Sequence, residues 1–194
     1  MKIGLILLAA GRSERLGRPK QLLLFRGRPL LRHCCEVAIG AERFDRIVVV
    51  LGAFADEIRG ATGKLPATVV VNRRWRAGMG SSIRRGMKEM DGVDAVVLML
   101  CDQPFVTAAL LRRIVALYKK GAALVACDYG GTFGPPTLFD RRYFEELKAL
   151  EPDAGAKAVL MRHTDEMKCV HFPKGAIDID TEEDLAEMSA ARVK

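Results

Sequence analysis

Five short apolar runs, each separated from the next by an amphipathic segment, constrain this chain more than any other feature. They are Ile3–Leu8 (IGLILL), Arg46–Leu51 (RIVVVL), Ala67–Val71 (ATVVV), Ala95–Leu100 (AVVLML) and Ala122–Ala126 (AALVA). Each is too short for a free-standing helix, most are rich in β-branched residues, and none alternates with polar residues. Such runs are strands buried on both faces, which is the signature of a parallel sheet. Parallel strands need crossover helices, and the intervening segments supply them. Pro29–Ile39 carries Leu30, Leu31, Cys34, Val37 and Ala38 on one face. Phe54–Arg59 and Ser81–Met90 also read as helices, and Thr107 reads as the N-cap of a helix through Tyr118. The pattern predicts an α/β fold: one three-layer α/β/α domain around a mostly parallel sheet.

Beyond Cys127 the pattern is less regular. A Gly/Pro-rich stretch, Tyr129–Pro136, leads to Thr137–Phe139. Arg142–Leu150 and Gly155–Arg162 read as helical, Lys168–Phe172 as a strand and Ile177–Ile179 as a short extended piece. Thr181 and Asp184 open a final helix, Thr181–Met188, in the manner of a capping box. No break in composition divides the 194 residues, so a single domain over 1–194 is expected.

The net charge of +7 invites a nucleic-acid reading. The Lys and Arg residues are spread along the chain, however, without a basic repeat or interleaved aromatics, so no nucleic-acid partner is expected. A small polyphosphate ligand explains the charge more economically. No apolar run approaches the ~20 residues of a membrane span, and the N-terminus enters a strand directly, so a cytoplasmic protein without a membrane partner is expected. The five cysteines form no CxxC pair and read as reduced thiols.

The first run empties into a loop with Gly11, Gly17, Arg12, Arg15, Arg18 and Lys20. A buried strand that ends in a Gly-rich cationic loop suits phosphate binding, because backbone N–H groups and cations can converge on an anion. The spacing is neither Walker A, which needs Lys directly after its second Gly, nor GxGxxG. The expectation is a loop wrapped around a triphosphate, with Lys20 near the α-phosphate.

Asp102 directly follows the fourth run and its Cys101, at the carboxyl edge of the sheet where ligands bind in such folds. Asp178 and Asp180 stand two apart in AIDID, so in an extended segment both face one way. Together with Asp102 they would form a hard oxygen site suited to Mg²⁺; Asp180 could instead simply cap the last helix. Asn72–Ser82 (NRRWRAGMGSS) follows the third run onto the same edge. Its Asn, hydroxyls and small residues could read a base or ribose, and Ser81 or Ser82 could equally cap the next helix.

Taken together, AAGRSERLGRPKQLL, NRRWRAGMGSSIRRG, CDQP and DIDTEEDL resemble the nucleotidyltransferase family that includes molybdenum cofactor cytidylyltransferases and guanylyltransferases. The match extends over nearly the whole chain, in order. The resemblance implies a nucleotide-diphosphosugar-transferase-like fold, with a nucleotide-binding part over about 1–127 and an acceptor-side, metal-completing part over about 128–194. It implies Mg²⁺ held by Asp102 and by Asp178 or Asp180. Gly11, Arg12, Ser13, Arg15 and Lys20 would surround the triphosphate, with Lys20, Arg15 and Asp102 in catalytic roles. Ala9, Ala10, Asn72, Gly80 and Ser82 would border the nucleotide.

The cytidylyl branch reads Ala-Ala-Gly where the guanylyl branch reads Ala-Gly-Gly, so Ala9-Ala10-Gly11 points to CTP. A Cβ at Ala10 narrows the space a glycine would leave for a purine. Gln103 also resembles the cytidylyl form. The acceptor implied is a phosphorylated pterin, molybdopterin, with a molybdoenzyme or its maturation chaperone as recipient of the product. Cytidylyl relatives usually read Gly-His-Pro where this chain has Gly134-Pro135-Pro136, and Gly-Asp-x-Gly-Ala-Arg where it has Pro152 to Lys157. A sugar or polyol phosphate acceptor, or a non-catalytic nucleotide-binding cofactor chaperone, are the alternatives.

Overall fold

The computed structural model describes residues 1–13, 16–62, 66–179 and 184. Its elements run β1 (Ile3–Ala9), β2 (Leu24–Phe25), β3 (Arg28–Pro29), α1 (Leu30–Gly40), β4 (Arg46–Leu51), α2 (Ala55–Thr62), β5 (Thr68–Val71), α3 (Met79–Met87), β6 (Ala95–Leu100), α4 (Ala108–Lys119), β7 (Leu124–Asp128), β8 (Phe133–Asp140), α5 (Phe144–Lys148), α6 (Lys157–Arg162) and β9 (Met167–His171). The final helix expected over Thr181–Met188 lies outside the described residues, apart from Asp184.

The five apolar runs all become strands of one seven-stranded sheet, ordered β5-β4-β1-β6-β8-β7-β9. β1 pairs in parallel with β4 on one side and β6 on the other. Every residue of β1 is buried, and its side chains alternate between two cores. Leu5, Leu7 and Ala9 pack with Leu30, Leu31 and Cys34 of α1 and Leu111 and Ile114 of α4. Ile6 and Leu8 pack with Ile83 and Met87 of α3, Leu147 of α5 and Leu160 of α6. The sheet is thus covered on both faces. Each fully buried Leu or Ile contributes about 1.5–3 kcal/mol, so both layers are held by apolar burial. Thr107 caps α4 as expected, its hydroxyl accepting from the Leu110 N–H at 3.2 Å.

β8 departs from the expectation. The Tyr129–Pro136 stretch reads as irregular, yet Phe133–Asp140 forms an eight-residue strand antiparallel to both neighbours. Proline lacks the N–H a sheet ladder needs. Here β6 pairs only with Thr137–Asp140, and the ladder to β7 is irregular between Val125 and Cys127. Pro135 and Pro136 fall outside these rungs, so neither removes one. Two smaller corrections concern helix ends. α3 begins at Met79, with Gly78 rather than Ser81 at its N-cap. The segment expected as one helix from Arg142 opens as a 3₁₀ turn over Arg141–Tyr143 before α5.

The chain leaves β1 toward β4 and β5, then returns to place β6 on the other side of β1. That reversal opens a crevice at the carboxyl ends of β1 and β6. Leu8 pairs with Leu100, so Ala9-Ala10 and Cys101-Asp102 emerge side by side at this crevice. Among the described residues no helix is long and apolar enough to cross a membrane.

Candidate active site

The loop after β1 is held by its own polar groups. Leu16 N–H donates to the Ser13 carbonyl at 3.0 Å, and Lys20 N–H to the Ser13 hydroxyl at 3.1 Å. Lys20–Leu22 then forms a 3₁₀ turn. Gln21, 1% exposed, folds back and donates through Nε2 to the Ala9 carbonyl at 2.9 Å and the Gly11 carbonyl at 3.1 Å. The carbonyls on either side of Ala10 are thereby fixed. The turn also delivers Lys20 across the crevice, where Nζ lies 2.7 Å from Asp102 Oδ2.

Lys20 and Asp102 are mostly shielded from water, with 13% and 22% of their side chains exposed. Their attraction is of order 4 kcal/mol at an effective dielectric near ~20, while desolvation takes back several kcal/mol per ion. The pair is therefore a weak stabiliser and a strong concentration of charge in one place. Asp102 Oδ1 is buried and has no hydrogen-bond partner among the described residues. An unpaired carboxylate oxygen at the end of a parallel strand fits a divalent cation. Among the described residues no three His, Cys, Asp or Glu side chains gather into a metal-holding cluster, so further ligands would come from the Asp178–Asp180 segment or from a bound substrate. Ile179 N–H donates to the Asp102 carbonyl at 3.1 Å, which docks that segment beside Asp102. Asp178 is exposed next to this contact, and Asp180 lies outside the described residues.

A cavity of about 360 Å³ opens between β1, β6 and the loop before α3. Ala9, Ala10, Gly11, Arg12, Lys20, Ser82 and Asp102 all line it, joined by Trp75, Arg76 and Met79. The Arg76 guanidinium lies over the Trp75 ring, 4.6 Å from its centroid. Trp75 and Ala10 both crowd Gly52, where a Cβ would lie 2.7 Å from Trp75 Cβ and 2.6 Å from the Ala10 carbonyl oxygen. Cys101 also lines the cavity, but its hydrogen bond with Cys34, followed by burial, holds its thiol well above the usual range. It remains protonated and offers no nucleophile.

A second cavity of about 340 Å³ shares Leu8, Met79 and Leu100 with the first. Its remaining walls include Ile83, Leu98, Tyr129, Phe133, Pro135 and Leu160. Lys157 is its one charged lining residue among those described; Nζ lies 2.7 Å from the Thr132 hydroxyl.

Residues 5–167 match the family described as the MobA-like NTP transferase domain. The chain belongs to that family. It is 31% identical to nicotine blue oxidoreductase of Paenarthrobacter nicotinovorans, over 93% of each chain. It is 34% identical to Rv0371c of Mycobacterium tuberculosis H37Rv, which it matches over 96% of each chain with a TM-score of 0.80. A crystal structure of Rv0371c in complex with manganese also matches, at 32% identity and a TM-score of 0.78, over 97% of this chain and 98% of that one. A nucleotidyl transferase from Methanothermobacter thermautotroptrophicus, 21% identical, shares the fold with a TM-score of 0.82, over 98% of this chain and 97% of that one. The fold is that of the nucleotide-diphosphosugar transferases.

In this MobA-like chain several residues stand elsewhere than the sequence suggests. Asn72 is 5% exposed and sits behind the wall of the first cavity. It donates to the hydroxyls of Ser81 at 2.9 Å and Ser82 at 3.0 Å and accepts from the Arg74 N–H, so it holds Ser82 in place. Gly80 turns away from the cavity; a Cβ there would meet the Glu151 carbonyl oxygen at 2.0 Å. It permits close packing of α3 on residues 151–154. Ser13 borders a smaller recess with Arg12, Gly17 and Phe54. Arg15 lies outside the described residues. Four of the five cysteines are buried, and Cys169 is exposed.

Gln21 belongs to this region without a place in the sequence reading, and Trp75, Arg76 and Met79 join it from the Asn72–Ser82 loop expected at this edge, where the reading rests on Asn, hydroxyls and small residues. Gln21 had one available signal, an amide set directly before the apolar Leu22-Leu23-Leu24. Trp75 is the chain's one tryptophan, placed in an otherwise polar loop.

Proposed function

We propose that this chain transfers CMP from CTP to the phosphate of molybdopterin, releasing pyrophosphate, with Mg²⁺ as the metal. The observation that carries this reading is the Lys20–Asp102 pair, 2.7 Å apart, in a cavity that shares one wall with a second. A charged recess suits a triphosphate, and an adjoining compartment suits the molecule that attacks it. The Cβ of Ala10, in the cavity wall, narrows the space a glycine would leave and favours a pyrimidine over a purine. The single domain divides its labour, with residues up to about 127 gripping the nucleotide and those from about 128 to 194 seating the acceptor. It acts in the cytoplasm, handing product to a molybdoenzyme or its chaperone.

An oxygen of the acceptor phosphate attacks the α-phosphorus. The bond to the β-phosphate oxygen breaks, and its electron pair leaves with pyrophosphate. The nucleophile is already anionic at neutral pH, so no side chain need act as a base. Lys20 neutralises charge on the α-phosphate, and Arg12 and Arg15 hold the outer phosphates. The turn fixed by Gln21 keeps Lys20 in position before substrate arrives, which is where catalysis of this kind gains most. Asp102 and a carboxylate of the 178–180 segment would hold Mg²⁺, which when bound offsets the negative charge of the triphosphate.

With α-³²P-labelled CTP, molybdopterin and Mg²⁺, label should move into a pterin dinucleotide. Label recovered only as unreacted CTP would contradict the transfer. A second reading rests on the Paenarthrobacter relative's name and the apolar second cavity: oxidoreduction of a flat aromatic substrate. Consumption of a reduced nicotinamide with such a substrate, and no transfer of label, would favour it.

A further inference from the structure

Gln103 follows Asp102 directly and is 2% exposed. Its Nε2 donates to the Tyr129 hydroxyl at 2.8 Å and to the Gly175 carbonyl at 2.9 Å. The Tyr129 hydroxyl donates onward to the Pro135 carbonyl. Tyr129 and Pro135 are walls of the second cavity. Gly175 opens the segment that reaches Asp178 and the Ile179 contact to Asp102. One buried amide therefore joins the second cavity's wall, the end of β6 that carries Asp102, and the Asp178 segment.

The join is closed sterically as well. The Tyr129 ring fills the space a Cβ on Gly175 would need, at 2.1 Å from that ring, and also stands 3.0 Å or more from a Cβ on Gly134. Burial keeps the Tyr129 phenol protonated far above neutral pH, so its donor is always available. Gln103 Oε1, by contrast, is buried without a partner. A methionine would fill the same volume without that penalty. The amide is thus poorly explained by packing and well explained by the two hydrogen bonds it donates.

We propose that Gln103 is a positioning residue. Its amide sets the Asp178 segment against Asp102 and fixes the acceptor wall relative to both. The identities of cation and acceptor rest on the function proposed above; the clasp does not. Asp102 and the Asp178 segment hold a divalent cation only while the Gly175 arm keeps them together. The same amide, through Tyr129, sets where an acceptor lies.

The test uses the full chain, Gln103→Met and Gln103→Glu. The methionine variant loses both arms. The glutamate variant, when ionised, can only accept, so it too loses the Gly175 arm and can hold Tyr129 only by taking the hydroxyl proton from Pro135; it serves if the first folds poorly. Hydrogen exchange at the Ile179 amide should accelerate roughly fivefold to tenfold in both, the size of one hydrogen bond. Mn²⁺ affinity, read by electron paramagnetic resonance, should weaken by a similar factor. Metal-free CTP binding, read from Trp75 fluorescence, should stay within about twofold, which a general loss of structure would not allow. Wild-type Ile179 exchange or wild-type Mn²⁺ affinity in both variants would overturn the assignment. A parent chain without Mn²⁺ affinity would instead sink the metal reading, while Ile179 exchange, measured without metal, still decides the clasp.

Discussion

The two cavities share Leu8, Met79 and Leu100 and have little else in common. The first is walled by Arg12, Lys20, Arg76, Ser82 and Asp102, and its loop is tied down by the side chain of Gln21. The second is walled by Leu98, Phe133, Pro135 and Leu160, with Lys157 at its margin. Fixed charges recognise what all triphosphates have in common and act on the reacting atoms. An apolar wall recognises shape and gains from area. Changes in the first cavity should therefore fall on turnover, and changes in the second on acceptor affinity.

The sharpest way to break that division is Asp102→Ala. It removes the carboxylate 2.7 Å from Lys20 Nζ, and Mg²⁺-dependent pyrophosphate release should fall about 10³-fold or more. Full activity would remove the metal from this site. Lys20→Ala should lower kcat at saturating nucleotide by roughly 10²–10³, with the acceptor KM little changed. Near-normal turnover in that variant would refute a role for Lys20 at the α-phosphate. Phe133→Ala strips apolar area from the second cavity and should raise acceptor KM about tenfold, leaving kcat and nucleotide KM alone. A fall in kcat with unchanged acceptor KM would erase the distinction between the cavities.

Asn72→Ala is a smaller perturbation that acts from behind the wall. It should raise nucleotide KM about threefold and lower stability by about 1–2 kcal/mol, because Ser81 and Ser82 lose a donor. Unchanged thermal unfolding would show that these bonds carry little. The smallest effect is expected outside both cavities, at His33, whose Nε2 lies 3.1 Å from the Pro104 carbonyl oxygen. Burial lowers its pKa below the ordinary 6.5, partly opposed by that contact. The unfolded chain then takes up the proton more readily than the folded one. His33 thus leaves stability intact above about pH 6.5 and reduces it as pH falls from there toward the folded value. His33→Gln should flatten that slope in denaturant titrations without changing turnover; an unchanged slope would show that His33 is not its source.

The two cavities also differ in how far the sequence exposes them. β1, β4 and β6 are local patterns and read directly as buried strands. The first cavity follows from them, since the ends of β1 and β6 must meet where the chain reverses. Even the contact of Lys20 with Asp102, 82 residues apart, follows from that topology. The second cavity depends on β8, and Pro135-Pro136 is ordinarily a sign against a strand. What rescues β8 is pairing: its rungs with β6 are confined to Thr137–Asp140, a property of the neighbour rather than of the segment. The hydrogen-bond partners of Gln21 and Gln103 were illegible for a related reason. A glutamine looks like surface until the fold shows which carbonyls face it, and Gly175 lies 72 residues from Gln103. Asn72 had the right chemistry and the right loop, but it stands one layer behind the residue that meets the cavity.

The central claim is that the first cavity activates a nucleoside triphosphate for attack by the phosphate of an acceptor whose body is seated in the second. Pyrophosphate release measured side by side with CTP, GTP and ATP, using molybdopterin and Mg²⁺, addresses it most directly. The account predicts release that depends on molybdopterin and is fastest with CTP. Release that ignores molybdopterin, or none with any of the three nucleotides, would contradict it.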